Sequence, residues 1–101
     1  MILEVADIRI RAGDAAAFEA AVARGVDAVV RHSPGFRSHR LERGIESPER
    51  CLLLIEWDTL ENHTVDFRQS DRFAQWRATV GPFFAEPPRV EHFAAAASAT
   101  A

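Results

Sequence analysis

The chain has 101 residues, which is the size of one domain with a limited core. Apolar residues make up 48% of it, so a disordered chain is excluded as the default, and a net charge of -3 without a basic stripe disfavours nucleic-acid binding. No apolar run reaches the ~18 residues of a membrane span, so no membrane is expected as a partner.

The amino-terminal stretch and the cysteine content indicate the compartment. MILEVADIRI has neither a basic segment nor a cleavage site, so no signal peptide is expected. A single cysteine, Cys51, excludes an internal disulfide and suits a reducing environment. We therefore predict a cytoplasmic protein whose thiol is packed and inert, because reactive cysteines need an accessible, electropositive site.

The first two predicted elements are a strand and a long helix. Ile2 to Arg11 alternates loosely, and Ala12-Gly13 ends the strand. Asp14 is the predicted N-cap of a helix from Ala15 to about His32, where Ser33-Pro34-Gly35 begins a turn. Helical spacing gives this helix one apolar face, formed by Phe18, Val22, Val26, Val29 and Val30.

The second predicted strand, Phe36 to Glu42, is more polar and therefore favours a sheet edge. Simple alternation places four of its residues on one face: Phe36, Ser38, Arg40 and Glu42.

The third predicted strand, Arg50 to Trp57, is the centre of the sheet. One of its faces is formed by Cys51, Leu53, Ile55 and Trp57, and the other by Leu52, Leu54 and Glu56. Both faces are mostly apolar, whereas a solvated antiparallel sheet would have one polar face. The second face therefore needs a cover.

The second predicted helix comes in two pieces. Thr59 is the N-cap of the first, whose inner face is formed by Leu60, His63, Thr64 and Phe67. Ser70 is the N-cap of the second, which runs to Val80 and ends at Gly81-Pro82; its inner side carries Phe73, Trp76, Arg77 and Val80. Arg89 to Phe93 is the last strand.

This order of elements is that of a ferredoxin-like β-α-β-β-α-β domain. We predict an α+β fold in which residues 1–93 form one domain with a four-stranded antiparallel sheet, and residues 94–101 form an alanine-rich tail that is mobile or lies on a partner. Helices would cover one sheet face. A homodimer with the two sheets face to face is the simplest cover for the other.

Several segments resemble one known family: Pro34-Gly35-Phe36, LLLIEWDTLENH, HTVDFRQSDRF and EPPRVEHF. Together, over Ile2 to Phe93, they resemble the antibiotic biosynthesis monooxygenases, which are dimeric α+β barrels. The resemblance implies a cofactor-independent monooxygenase acting on a quinol-like or polycyclic aromatic small molecule. Such relatives use neither metal nor flavin; they deprotonate the substrate, and its carbanion passes an electron to dioxygen.

The match to an anthrone-oxidising relative is partial. In that relative a tryptophan closing the third strand and a tyrosine six residues later line the pocket, and Trp57 and His63 stand at these positions. A strand asparagine four residues before the tryptophan is replaced by Leu53.

Haem-degrading relatives differ at three positions. Their tryptophan, axial histidine and first-strand asparagine correspond to Phe67, Arg77 and a position near Asp7, which argues against haem. No H-x-x-x-H or C-x-x-C spacing points to a metal. We therefore expect no cofactor.

His63 is the candidate base, because an imidazole titrates at about pH 6.5. The alternative is a helix histidine with a structural hydrogen bond. Trp57 would support a ring, and Arg77 would stabilise a phenolate, although core packing and a solvated arginine are the commoner roles. Four further residues are candidate substrate contacts: Phe67, Trp76, Asn62 and Phe73.

A second class of function stays open. The same scaffold serves as a non-catalytic small-ligand-binding or stress-response dimer if the two tryptophans fill the core and leave no cavity next to His63.

Overall fold

The computed structural model describes residues 1–101 and has a four-stranded antiparallel sheet with helices on one face. The strands are β1 (Ile2–Arg9), β2 (Phe36–Arg43), β3 (Arg50–Trp57) and β4 (Arg89–Phe93), in the spatial order β2-β3-β1-β4. The helices are α1 (Ala15–Ala28) and α2 (Asp71–Val80), with a π-helical segment at Asn62–Phe67 and 3₁₀ turns at Val30–His32 and Gly81–Phe83. The predicted ferredoxin-like α+β fold is confirmed.

The central position of β3 is also as predicted. It pairs with β1 on one side and β2 on the other. Cys51, Leu53, Ile55 and Trp57 are fully buried beneath the helices, in one cluster with Phe18, Val22 and Val26 of α1. The predicted apolar face of α1 is therefore the face that packs on the sheet, and burial raises the pKa of the Cys51 thiol.

The face prediction for β2 was wrong at its first residue. The register shifts between Phe36 and Ser38, so that Phe36 pairs with Trp57 on the inner face while Ser38 pairs with Glu56 on the outer face. A bulge inserts an extra residue and reverses the alternation. It lets the Phe36 ring pack edge-on against Trp57, with ring centroids 6.0 Å apart.

The helix ends differ from the predicted caps. α1 ends at Ala28 and the 3₁₀ turn takes over, which keeps both Val29 and Val30 buried. Asp14 and Ser70 precede α1 and α2 but make no side-chain capping bond. The Asp14 carboxylate lies 3.4 Å from Arg11, and the Ser70 hydroxyl donates to the Phe67 carbonyl at 2.6 Å.

The other sheet face carries no helix. Leu3, Val5, Leu52 and Leu54 are only partly buried there, and Phe93 is 49% exposed. Residues 94–101 have no helix or strand, and no helix in the chain is both long and apolar enough to cross a membrane.

Candidate active site

A cavity of about 240 Å³ lies between the inner sheet face and the helical segments that follow β3. Its wall includes predicted site residues from both helical pieces, namely His63, Phe67, Phe73, Trp76 and Arg77. The two tryptophans therefore do not fill the space next to His63. Leu53 also lines the cavity, so the strand position that carries an amide in the anthrone-oxidising relative presents an apolar side chain here.

The π-helical segment turns His63 inward. His63 is 3% exposed, and its ring stacks on Trp57 with centroids 5.4 Å apart and on Phe67 with centroids 6.0 Å apart. The Arg68 amide donates to the His63 carbonyl five residues back, which is the bond of a π-helix. The wider winding keeps His63 and Phe67 on the inner face, whereas Leu60, predicted to face inward, is 39% exposed.

A capped corner holds the start of this segment. The backbone N–H of Asn62 donates to the Thr59 hydroxyl at 3.2 Å, and the backbone N–H of Thr59 donates to Asn62 Oδ1 at 3.0 Å. The predicted Thr59 cap is thus present, in a reciprocal arrangement that satisfies two free helix donors. Asn62 also donates to Asp66 at 3.0 Å. Its side chain holds the corner and does not line the cavity.

Glu4 is a site residue that the sequence reading did not identify. It is 6% exposed, and it lies on the inner face of β1 together with Ala6 and Ile8. Its Oε1 accepts a hydrogen bond from Trp57 Nε1 at 2.9 Å and lies 3.3 Å from His63 Nε2. The alternation of β1 could have identified it, because Glu4 is the one carboxylate on the same strand face as the apolar residues Ala6 and Ile8.

His92 is the second residue that was missed. It lies directly opposite Glu4 in the β1–β4 register, and its Nε2 lies 2.7 Å from His63 Nδ1. The alternation of β4 places His92 and Val90 inward, but only the strand order makes β4 the neighbour of β1. His63 is therefore held between an acid on one side of its ring and a second imidazole on the other.

The environment shifts the protonation of all three groups toward their neutral forms. Burial raises the pKa of Glu4 from 4.5 to about 7, although the Trp57 hydrogen bond and the Arg68 charge act in the opposite direction. Burial, with smaller contributions from Arg68 and His92, lowers the pKa of His63 to about 3. The pKa of His92 is also lowered, again by burial and then by Arg68. At neutral pH His63 is an uncharged imidazole and Glu4 is close to its titration midpoint.

Of the predicted catalytic residues, Trp57 lies outside the cavity lining and Arg77 lies at the cavity edge. Trp57 is fully buried and does not line the cavity; it stacks beneath His63 and holds Glu4. Arg77 is exposed at the cavity edge, with its guanidinium carbon 5.8 Å from the centre of the Phe73 ring.

The polar groups are not arranged as metal ligands. Glu4 and His92 approach different nitrogens of His63, and these nitrogens point away from each other. No group of three or more His, Cys, Asp or Glu side chains converges on one point.

Comparison with known proteins identifies relatives over the whole domain. A sequence model described as antibiotic biosynthesis monooxygenase matches residues 1–79. The uncharacterized protein YczJ of Bacillus subtilis is 37% identical over 93 residues, covering 92% of this chain and 97% of that protein.

Solved structures also match the chain over most of its length. A Bordetella bronchiseptica protein, described only by family as an antibiotic biosynthesis monooxygenase, has a TM-score of 0.90 at 43% identity, covering 95% of this chain and 97% of that chain. A monooxygenase of Streptomyces coelicolor in complex with nanaomycin D has a TM-score of 0.85, covering 99% of this chain and 91% of that chain. At 16% identity this second similarity shows the fold alone.

Proposed function

This chain belongs to the antibiotic biosynthesis monooxygenase family, and from that premise we propose that it oxygenates a quinol-like aromatic small molecule without a cofactor. The observation that carries the proposal is the cavity, which puts a buried carboxyl and an imidazole beside an aromatic wall. An apolar enclosure with a few convergent polar groups and shifted pKa values is typical of a small-molecule site.

The cavity volume favours a small substrate. About 240 Å³ is below the ~300–1,000 Å³ usual for drug-sized ligands. We therefore propose one or two fused rings rather than a larger polycycle. Phe67, Phe73 and Trp76 would contact the ring faces, and Arg77 at the edge would stabilise the phenolate.

The proposed reaction converts a phenol ring carbon to a quinone carbonyl. A base removes the acidic proton, and the carbanion transfers one electron to dioxygen. The two radicals join in a C–O bond, the peroxide takes up a proton, and loss of water leaves the carbonyl. One molecule of phenol and one of dioxygen give one quinone and one water, so dioxygen supplies the oxidising equivalents.

His63 is the proposed centre of the proton chemistry. It lines the cavity together with Glu4, its Nε2 lies 3.3 Å from the Glu4 carboxyl, and an uncharged imidazole is able to accept a proton at one nitrogen. Trp57 supports this role from beneath, by stacking on His63 and donating to Glu4.

We propose that the protein works without flavin, haem or metal in a reducing cytoplasm, in keeping with its free, buried Cys51. Purified protein should lack a visible absorption band, and elemental analysis should find less than stoichiometric iron or zinc.

Homodimerisation through the outer sheet face is proposed from its shape and chemistry. A concavity of about 500 Å³ on this face is bordered by Leu3, Leu54 and Phe93, with Ala94 and Ala95 of the tail. Covering this partly apolar face is favourable, and a twofold dimer presents the same patch from both copies.

The direct test measures oxygen uptake with a panel of one- and two-ring phenols and quinols. His63→Ala should reduce the rate by about 10²–10⁴-fold, the usual contribution of positioned proton transfer. Folding is checked by circular dichroism. Oxygen uptake within about threefold of wild type would make His63 structural.

One observation favours a second candidate, a small-ligand-binding dimer. Both ring nitrogens of His63 already have protein partners, as in a purely structural network. Calorimetric binding of a phenol without any oxygen uptake would support this candidate over the monooxygenase.

A further inference from the structure

Glu4, His63 and His92 form a continuous line of hydrogen-bonding groups. Glu4 and His63 both line the cavity, with His63 Nε2 3.3 Å from Glu4 Oε1, and His92 lies 2.7 Å from the far nitrogen of His63. His92 does not line the cavity; it is half-buried on β4, the edge strand of the sheet. The line therefore runs from the enclosed space toward solvent.

We propose that Glu4 accepts the substrate proton and that His63 and His92 pass it to solvent. This inference rests on the proposed function and changes one assignment within it: the group that meets the substrate is the carboxylate, and His63 is the second member of the relay. Glu4 contacts both Trp57 and His63 through Oε1, so Oε2 is the oxygen available to a substrate hydroxyl.

The relay has two arrangements of protons. With Glu4 ionised, His63 Nε2–H donates to Oε1 and His92 Nε2–H donates to His63 Nδ1. With Glu4 protonated, its hydroxyl donates to His63 Nε2, His63 Nδ1–H donates to His92 Nε2, and His92 carries its proton on Nδ1. The two arrangements differ by one proton. A substrate proton taken up on Oε2 of the first arrangement gives the second once the carboxyl turns its hydroxyl toward His63 Nε2 and both imidazoles change tautomer. Passing from the second to the first then moves each proton by one hydrogen bond and releases one at His92.

The groups around Glu4 favour transfer of its proton to His63. Trp57 from β3 and Arg68 at the end of the π-helical segment both favour the ionised carboxylate, whereas burial opposes it, and the pKa of about 7 is the balance. An acid that titrates near the working pH both accepts and returns a proton readily. His63, with its pKa lowered to about 3, stays uncharged and passes a proton only as another leaves.

The first test uses the protein without substrate. ¹⁵N-labelled histidine spectra between pH 5.5 and 8.5, with ¹³C carboxyl spectra of Glu4, report the tautomer of each imidazole and the charge of the acid. We expect His63 to change from the Nδ1–H to the Nε2–H tautomer as Glu4 ionises near pH 7. In Glu4→Gln the His63 tautomer should be independent of pH. A single His63 tautomer across the wild-type titration would overturn the relay.

The second test is kinetic. His92→Gln keeps a hydrogen-bonding group next to His63 but is unable to relay a proton. With an active phenol, kcat should fall by about 10²-fold, and added imidazole buffer should restore much of the activity of His92→Gly, in which the side chain leaves room next to His63. His32→Gln, at an exposed histidine that does not line the cavity, is the matched control and should not change kcat. An unchanged kcat in His92→Gln, or a loss in His92→Gly that imidazole leaves unrestored, would count against the relay.

The two tests separate the relay from the proposed function. If no phenol is oxidised by the wild-type protein, the monooxygenase proposal fails, and the tautomer change alone decides whether the proton line exists. If phenols are oxidised while the His63 tautomer stays fixed, the function stands and the relay is wrong.

Discussion

At the scale of single residues, Glu4 determines the electrostatics of the site. A carboxyl that is 6% exposed is neutral or ionised at neutral pH according to small changes in its neighbours. Its cost to folding is a measurable quantity, because the same carboxyl is fully hydrated in the unfolded chain.

We predict that Glu4→Gln removes a pH-dependent decrease in the free energy of unfolding. A raised pKa means that folding binds a proton, so the contribution of Glu4 is full below pH 4.5 and is lost as pH rises to about 7. The variant should gain stability relative to wild type over this window, by at most about 3 kcal/mol. Urea denaturation of both proteins at intervals between pH 4 and 8 measures the difference. A difference that does not change with pH would mean that Glu4 has an ordinary pKa in the folded protein.

His63 should produce the opposite slope. Its pKa is lowered, so its contribution is full above pH 6.5 and is lost as pH falls toward about 3. With Glu4 acting in the other direction and the lowered pKa of His92 acting in the same direction as His63, the wild-type free energy of unfolding should be greatest near pH 6.5. The same denaturation series locates the maximum, and a maximum above pH 8 would contradict this reading.

Trp57→Phe tests the link between the stacked aromatic floor and the acid. Phenylalanine keeps an apolar ring but loses the N–H that donates to Glu4 at 2.9 Å. The pKa of Glu4 should rise further, and the protein should lose about 1–3 kcal/mol because a buried acceptor is left unpaired. ¹³C spectra give the pKa. Since Trp57 does not line the cavity, phenol affinity should change less than it does in Phe73→Ala, which removes a cavity wall.

At the scale of elements, the corner between β3 and the π-helical segment sets the position of His63. Gly35 packs against this corner: its φ is +80°, a Cβ there would overlap the Asn62 side chain, and its carbonyl accepts from the Asp58 N–H at 2.8 Å. The turn after α1 therefore supports the start of the segment that carries His63.

Gly35→Ala should disturb the site in a way that Gly13→Ala does not. Both glycines have positive φ, so both substitutions cost about 1–2 kcal/mol of backbone strain. A Cβ at Gly13 meets nothing within 4 Å, whereas one at Gly35 displaces Asn62. Gly35→Ala should therefore be the less stable variant by urea denaturation and should also shift the His63 resonances. Equal stabilities and unchanged His63 resonances would show that the corner tolerates the displacement.

At the scale of the whole molecule, helices cover one face of the sheet and leave the other uncovered. The inner face lies under the helices, while the outer one leaves Leu52, Leu54 and Phe93 partly exposed to solvent. A charged pair, Arg50 to Asp7 at 2.8 Å, lies beside these apolar residues. The apolar part of this face is where a second copy would pack.

Leu54→Glu should break the proposed dimer. A charge at the centre of the outer face would lose its hydration on association without a partner, so monomers or insoluble protein are expected. Ile45→Glu is the control, because Ile45 is 91% exposed in the β2–β3 connection. Light scattering after gel filtration gives the masses. A monomeric wild type at micromolar concentration would contradict the dimer.

Much of the fold followed from local patterns in the sequence. The apolar run Cys51 to Trp57 and the periodic residues of α1 determined the central strand and the covering helix, because burial depends on which residues share a face. The last strand, Arg89 to Phe93, has the bounds that were predicted from the sequence. His63 was found because its helical spacing placed it on the inner face.

The arrangement around His63 was decided only by the tertiary structure. Glu4 and His92 are 88 positions apart in the chain and become neighbours because β4 pairs with β1, a strand order that neither segment encodes locally. The reversal of faces at Phe36 has the same origin, since a bulge forms in response to the paired strand. Sequence patterns report which side of an element is buried, whereas hydrogen bonds between distant side chains depend on which elements meet across the core.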